Sequence, residues 1–93
     1  MLERMHSLGL VHCDIKPSNV LNSPSRGCVF LDFGYSALLT ERPGTPTRTR
    51  FKGSLTYSSP PMAQLFYTKS KGKIDLYAND RHALNATVLE LQR

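Results

Sequence analysis

His12-Cys13-Asp14-Ile15-Lys16-Pro17-Ser18-Asn19 is the stretch on which the reading of this chain turns, because it packs a carboxylate, a cation and an amide into eight positions. Two short β-prone runs follow it, Val20-Leu21-Asn22 and Cys28-Val29-Phe30-Leu31, separated by the turn-forming cluster Ser23-Pro24-Ser25-Arg26-Gly27. That pattern predicts a hairpin. Asn19 then stands just before the first strand and Asp32 just after the second, so two oxygen-bearing side chains emerge at the same end. Asp32 opens a second short segment, Asp32-Phe33-Gly34, and a third follows at Gly53-Ser54-Leu55-Thr56-Tyr57-Ser58-Ser59-Pro60-Pro61.

Outward from these segments, Leu2 and Met5 sit at helical spacing with Gly9 beyond them, so Met1 to Ser7 reads as a helix end. Leu10 and Val11 make a very short strand. Tyr35 to Lys52 is rich in Thr, Arg, Pro and Gly without sustained periodicity, which predicts a long mobile loop. Met62 to Tyr67 reads as a short helix, and Thr68 to Lys73 as a basic polar stretch. In the last element, Asp80 to Leu91, Leu84, Val88 and Leu91 fall at i, i+4 and i+7, with Ala83, Ala86 and Leu89 widening the apolar side. A helix apolar over so much of its circumference is expected to be buried.

The chain has 93 residues, enough for one small domain and too few for two, so marginal stability in isolation is expected. A net charge of +5 raises an acidic partner or nucleic acid as binding classes. The charge is concentrated in Arg42, Arg48, Arg50 and Lys52, then in Lys69, Lys71 and Lys73, without aromatics in a stacking pattern and without a nucleic-acid motif. Solvated loops are the expectation for both clusters. Cys13 and Cys28 form no C-x-x-C, and His6, His12 and His82 have no metal-ligand spacing, so a zinc site and a disulfide framework are set aside. No apolar run reaches membrane-spanning length and no leader pattern opens the chain. An intracellular, reducing location, cytoplasmic or nuclear, is the resulting expectation.

Read together, the three segments resemble the catalytic centre of a eukaryotic-type Ser/Thr protein kinase. His12 to Asn19 is similar to the family's H-R-D-x-x-x-x-N loop with Cys13 in place of Arg, and Asp32-Phe33-Gly34 is its D-F-G unchanged. Gly53 to Pro61 resembles G-T-x-x-Y-x-A-P-E. The resemblance implies an α+β fold, a partial kinase-like C-lobe, mainly helical with a short β-hairpin and a long activation loop. Residues 1–93 would form a partial kinase domain with catalytic loop 12–19, D-F-G 32–34, activation segment 32–61 and a central helix at about 80–91. It implies ATP and Mg²⁺ as cofactors and protein Ser/Thr hydroxyls as substrate, with neither membrane nor nucleic acid as partner. Asp14 would be the catalytic base, and Lys16 would neutralise the transferred phosphoryl group and bind ATP. Asn19 and Asp32, both oxygen donors, would bind the nucleotide through Mg²⁺. His12, Gly34, Thr56 and Asp80 would support them, Thr56 by bonding Asp14 and Lys16, and Asp80 by anchoring the backbone of the catalytic loop. The Asp-x-Lys spacing is the Ser/Thr form of the loop.

The departures matter as well. Cys13 removes the guanidinium that would pair bidentately with a phosphorylated loop residue, which weakens the case for switching at Thr45, Thr47 or Thr49. Ser59-Pro60-Pro61 stands where the family has Ala-Pro-Glu, and Asp80-Arg81-His82-Ala83-Leu84-Asn85 carries His82 and Asn85 where D-x-W-S-x-G has Trp and Gly. His82 is read as a repacked core residue. The glycine-rich loop and the Val-Ala-Ile-Lys strand do not occur in these residues, so the chain alone is expected to turn over little or no substrate. A non-catalytic pseudokinase remnant that binds proteins is the alternative.

Overall fold

The structure is a computed structural model that describes residues 2–25, 27–40 and 44–92. Met1, Arg26 and Arg42, used in the expectations above, lie outside the described residues, as does the side chain of Cys28.

Helix α1, Leu2–Ser7, buries Leu2, Met5 and His6 on one face and leads through Gly9 into the two-residue strand β1, Leu10–Val11. The turn cluster produces the hairpin: β2, Val20–Ser23, pairs antiparallel with β3, Gly27–Phe30, in the register Val20↔Phe30 to Ser23↔Gly27. A bond from Leu31 N to the Asn19 carbonyl extends the pairing by one step at 2.8 Å.

The segment expected to be one long loop is partly ordered into strands. Ala37–Leu38, β4, pairs with β1, and Thr47–Arg50, β5, pairs antiparallel with Lys71–Ile74, β6. Arg48, Arg50, Lys71 and Lys73 therefore stand on strands, not on solvated loops. The polar character of these strands hid them, since only the Ile74 side chain among their eight residues is fully buried.

Helix α2, Pro60–Thr68, starts on two prolines, whose missing N–H groups cost nothing in a first turn, and ends on Lys69 in the left-handed conformation. Its buried residues are Met62 and Leu65.

Helix α3 runs from Leu76 to Leu91, four residues further upstream than expected. Asp75 caps it, its Oδ1 accepting from Ala78 N at 3.1 Å. Its buried face is also not the apolar stripe the sequence suggests. Val88, Leu89 and Leu91 are 40%, 66% and 58% exposed, whereas Leu76, Asp80, Ala83 and Thr87 form the inward stripe. The reason is chemical: Asp80 is buried because backbone donors need it, and its position fixes the rotation of the helix.

Two apolar clusters hold these elements. Val11, Cys13, Met62, Leu65, Ile74, Leu76 and Tyr77 make one; Leu2, Met5, Ile15, Phe30 and Ala83 make the other. The segment from Val11 to Ile15 passes between them, so its alternate side chains are clamped on both sides while His12 and Asp14 are left to polar partners. Among the described residues no helix is long and apolar enough to cross a membrane.

Candidate active site

Asp80 organises the loop from below. Its carboxylate accepts from His12 N and Cys13 N, each at 2.8 Å, and from His6 Nε2 at 2.9 Å. A carboxylate with no exposed surface is tolerated only when its lone pairs are used in this way. These bonds hold Cys13 at a φ of 70°, a conformation unfavourable for a residue with a Cβ.

His12 ties the loop to the hairpin. Asp14 N donates to His12 Nδ1 at 3.1 Å, so Nδ1 is the acceptor nitrogen and Nε2 carries the hydrogen donated to the Leu31 carbonyl at 2.8 Å. The ring also packs at 4.8 Å from that of Phe33, the middle residue of Asp32-Phe33-Gly34.

Asp14 is 8% exposed, and both its oxygens are engaged. Oδ1 accepts from Ser54 Oγ at 3.0 Å. Oδ2 faces Asn19 Nδ2 at 3.4 Å and Lys16 Nζ at 3.8 Å. Asn19 Nδ2 also donates to the Asp14 carbonyl at 2.9 Å, which uses its donor side and leaves its amide oxygen for another partner. Asp32 sits at the adjoining hairpin end, exposed, with a φ of 53°. Its Oδ1 accepts from Gly34 N at 3.2 Å, and a Cβ on Gly34 would lie equally close to that oxygen.

Thr56 does not join this set. Its side chain is exposed on the short 3-10 turn Leu55–Tyr57, and the hydroxyl on Asp14 belongs to Ser54. The signal was available, because Ser54 holds the place of the threonine in G-T-x-x-Y and keeps its hydroxyl. Gly53 makes this approach feasible: with a φ of +98°, any Cβ there would strike the Cys13 carbonyl oxygen. Asn79 is a second residue the motif reading passed over. Its Oδ1 accepts from Ser59 N at 2.9 Å and fastens the start of α2 to α3.

Burial first, and then the Asp80 carboxylate beside it, push the Cys13 thiol up to about 12, against a lowering pull from Lys52. At the position where the motif has a permanent cation, this chain therefore holds a neutral thiol inside an apolar cluster. His82 is partly buried, with Nδ1 lacking a partner among the described residues.

The donor set fits Mg²⁺ in kind. Asn19 and Asp32 offer hard oxygen ligands, and Mg²⁺ is commonly held by one or two protein oxygens with phosphate and water completing its shell. Among the described residues no group of three His, Cys, Asp or Glu side chains gathers as a self-sufficient cage.

The protein kinase domain model matches residues 1–86. A probable serine/threonine-protein kinase PknB of Lactococcus lactis is 36% identical over 90 residues, 97% of this chain and 13% of that protein. Mitogen-activated protein kinase kinase 7 of Arabidopsis thaliana is 32% identical over 90 residues, 97% of this chain and 28% of that protein. The interferon-induced, double-stranded RNA-activated protein kinase of Mus musculus is 39% identical over 77 residues, 83% of this chain and 14% of that protein. The chain belongs to the protein kinase domain family, and it spans less than a third of the length of these relatives.

Proposed function

We propose that this chain is the catalytic segment of a Ser/Thr protein kinase C-lobe, and that the intact protein transfers the γ-phosphoryl group of ATP to protein Ser or Thr hydroxyls. The observation that carries the reading is the setting of Asp14, held by Ser54 on one oxygen and by Asn19 and Lys16 on the other. Such a carboxylate is oriented without being neutralised by a direct bidentate pair.

In this reading the substrate hydroxyl donates its hydrogen to Asp14, and its oxygen forms the new bond to the γ-phosphorus as the bond to the bridging oxygen of ADP breaks. Lys16, part-exposed beside Asp14, offers its ammonium to the negative charge on the phosphoryl oxygens. Mg²⁺, held by Asn19 and Asp32, would supply charge neutralisation at the nucleotide phosphates. The His12 bonds to Asp14 N and to the Leu31 carbonyl keep the base and the Asp32 segment in one frame.

The test is phosphorylation of a Ser/Thr protein substrate by the natural polypeptide that contains this segment. Incorporation that needs ATP and Mg²⁺ and disappears with both Asp14→Asn and Asp32→Ala supports the reading. Incorporation unchanged by these substitutions overturns it.

A further inference from the structure

In the β5–β6 ribbon Arg48 stands opposite Lys73 and Arg50 opposite Lys71. Opposed residues of an antiparallel pair share a face, and the period of two puts both pairs on the same one. All four side chains are exposed, while Thr47, Thr49, Gly72 and Ile74 take the inner face. Like charges placed directly opposite one another are destabilising, and the ion pairs His6–Asp80 and Lys16–Asp14 engage none of these four cations. Neither of those two carboxylates therefore offsets the array. Beside it opens a cavity of about 440 Å³ lined by Arg50, Phe51, Leu65, Phe66, Tyr67 and Lys69.

We propose that the β5–β6 ribbon and this cavity together bind an acidic peptide segment that carries an apolar anchor side chain. Carboxylates at alternate positions of an extended peptide recur about every 6.7 Å, which is the spacing of Arg48 to Arg50 and of Lys71 to Lys73 along their strands. The aromatic wall with cations at its rim accepts one bulky apolar side chain and holds the acidic residues next to it. A nucleic-acid strand suits the site less well. Stacking bases need successive open ring faces, but Phe66 meets Phe51 and Tyr67 edge to face, at 63° and 82°. The inference does not depend on phosphoryl transfer.

The experiment is fluorescence anisotropy on the natural polypeptide containing this chain, with a labelled peptide that alternates glutamate with threonine and ends in phenylalanine. Binding should weaken with added salt, weaken about tenfold for Arg48→Gln/Lys73→Gln, and be lost when glutamine replaces glutamate in the peptide. Replacing the peptide phenylalanine by alanine should weaken it separately. Because the double substitution removes an opposed like-charge pair, the variant should melt no lower than the parent, and the peptide-side changes leave the protein untouched. Equal binding by the glutamine peptide, or by the double variant, overturns the proposal. So does tighter binding of a single-stranded oligothymidylate than of the peptide at the same salt, which would assign the surface to nucleic acid.

Discussion

Ser54 Oγ donates to Asp14 Oδ1 at 3.0 Å across 40 positions of sequence, which makes the hydroxyl after Gly53 part of the setting of this carboxylate. In the kinase reading proposed above, Ser54→Ala in the natural polypeptide that contains this segment should lower kcat/KM about tenfold, the worth of one hydrogen bond to a charged group. Ser54→Thr should keep most of the activity, and Thr56→Ala should behave as the parent. Steady-state kinetics on the three variants decide it: a loss for Thr56→Ala with none for Ser54→Ala would return the role to Thr56.

Gly53 and Gly44 separate backbone strain from collision. Both have positive φ, +98° and +93°, but only Gly53 has the Cys13 carbonyl where a Cβ would be, while Gly44 has nothing within 4 Å among the described residues. Gly44→Ala should cost about 1 kcal/mol and Gly53→Ala about 3 kcal/mol or more in urea unfolding. Equal costs would show that the close approach at Gly53 is not needed.

Cys13 imposes a pH dependence with a defined sign. Its thiol rises from an ordinary 9.0 to about 12 in the folded chain, so above pH 9 the unfolded state releases a proton that the folded state keeps. Stability is fully present below pH 9 and should fall as pH rises from there towards about 12. Cys13→Ala should flatten that slope in a background of Cys28→Ser. In the same background with Cys13 intact, a thiol reagent at pH 8 should modify the chain only as fast as it unfolds.

Thr87 is fully buried, and its hydroxyl has no partner among the described residues. Thr87→Val keeps the shape and removes the unmet polar atom, so it should raise stability by about 1 kcal/mol. A drop in melting temperature would mean that the hydroxyl has a partner in solution.

Asp80→Ala should be the most damaging of these substitutions, about 3 kcal/mol or more, because it leaves His12 N, Cys13 N and His6 Nε2 buried without their acceptor. Asp80→Asn should recover only part of that, since an amide group presents a donor to one of the same donors. Chemical denaturation of both variants would check the order.

Residues whose chemistry is local were readable from the chain. Asn19 and Asp32 flank a hairpin because the Ser-Pro-Ser-Arg-Gly cluster between β-prone runs favours a turn. Ser54 and Thr56 were not separable in that way, since each lies in the same short segment and only the geometry at Gly53 decides which hydroxyl reaches Asp14. The pairing of Thr47–Arg50 with Lys71–Ile74 was illegible because strands that bury so little apolar surface leave no alternation to read. In α3 the apolar period pointed to Leu84, Val88 and Leu91, but three backbone and imidazole donors waiting for Asp80 outweighed it. A buried carboxylate is set by its partners, and those partners lie 67 to 74 positions away.

The His12 ring, bonded on one edge to Asp14 N and on the other to the Leu31 carbonyl, is a rigid strut of fixed length. A displacement of the Leu31 carbonyl is therefore transmitted through this ring to Asp14 N, so the hairpin end that leads into Asp32 and the backbone of Asp14 share one support. In the kinase reading proposed above, the base and the metal-holding residue would thus be supported through a single imidazole.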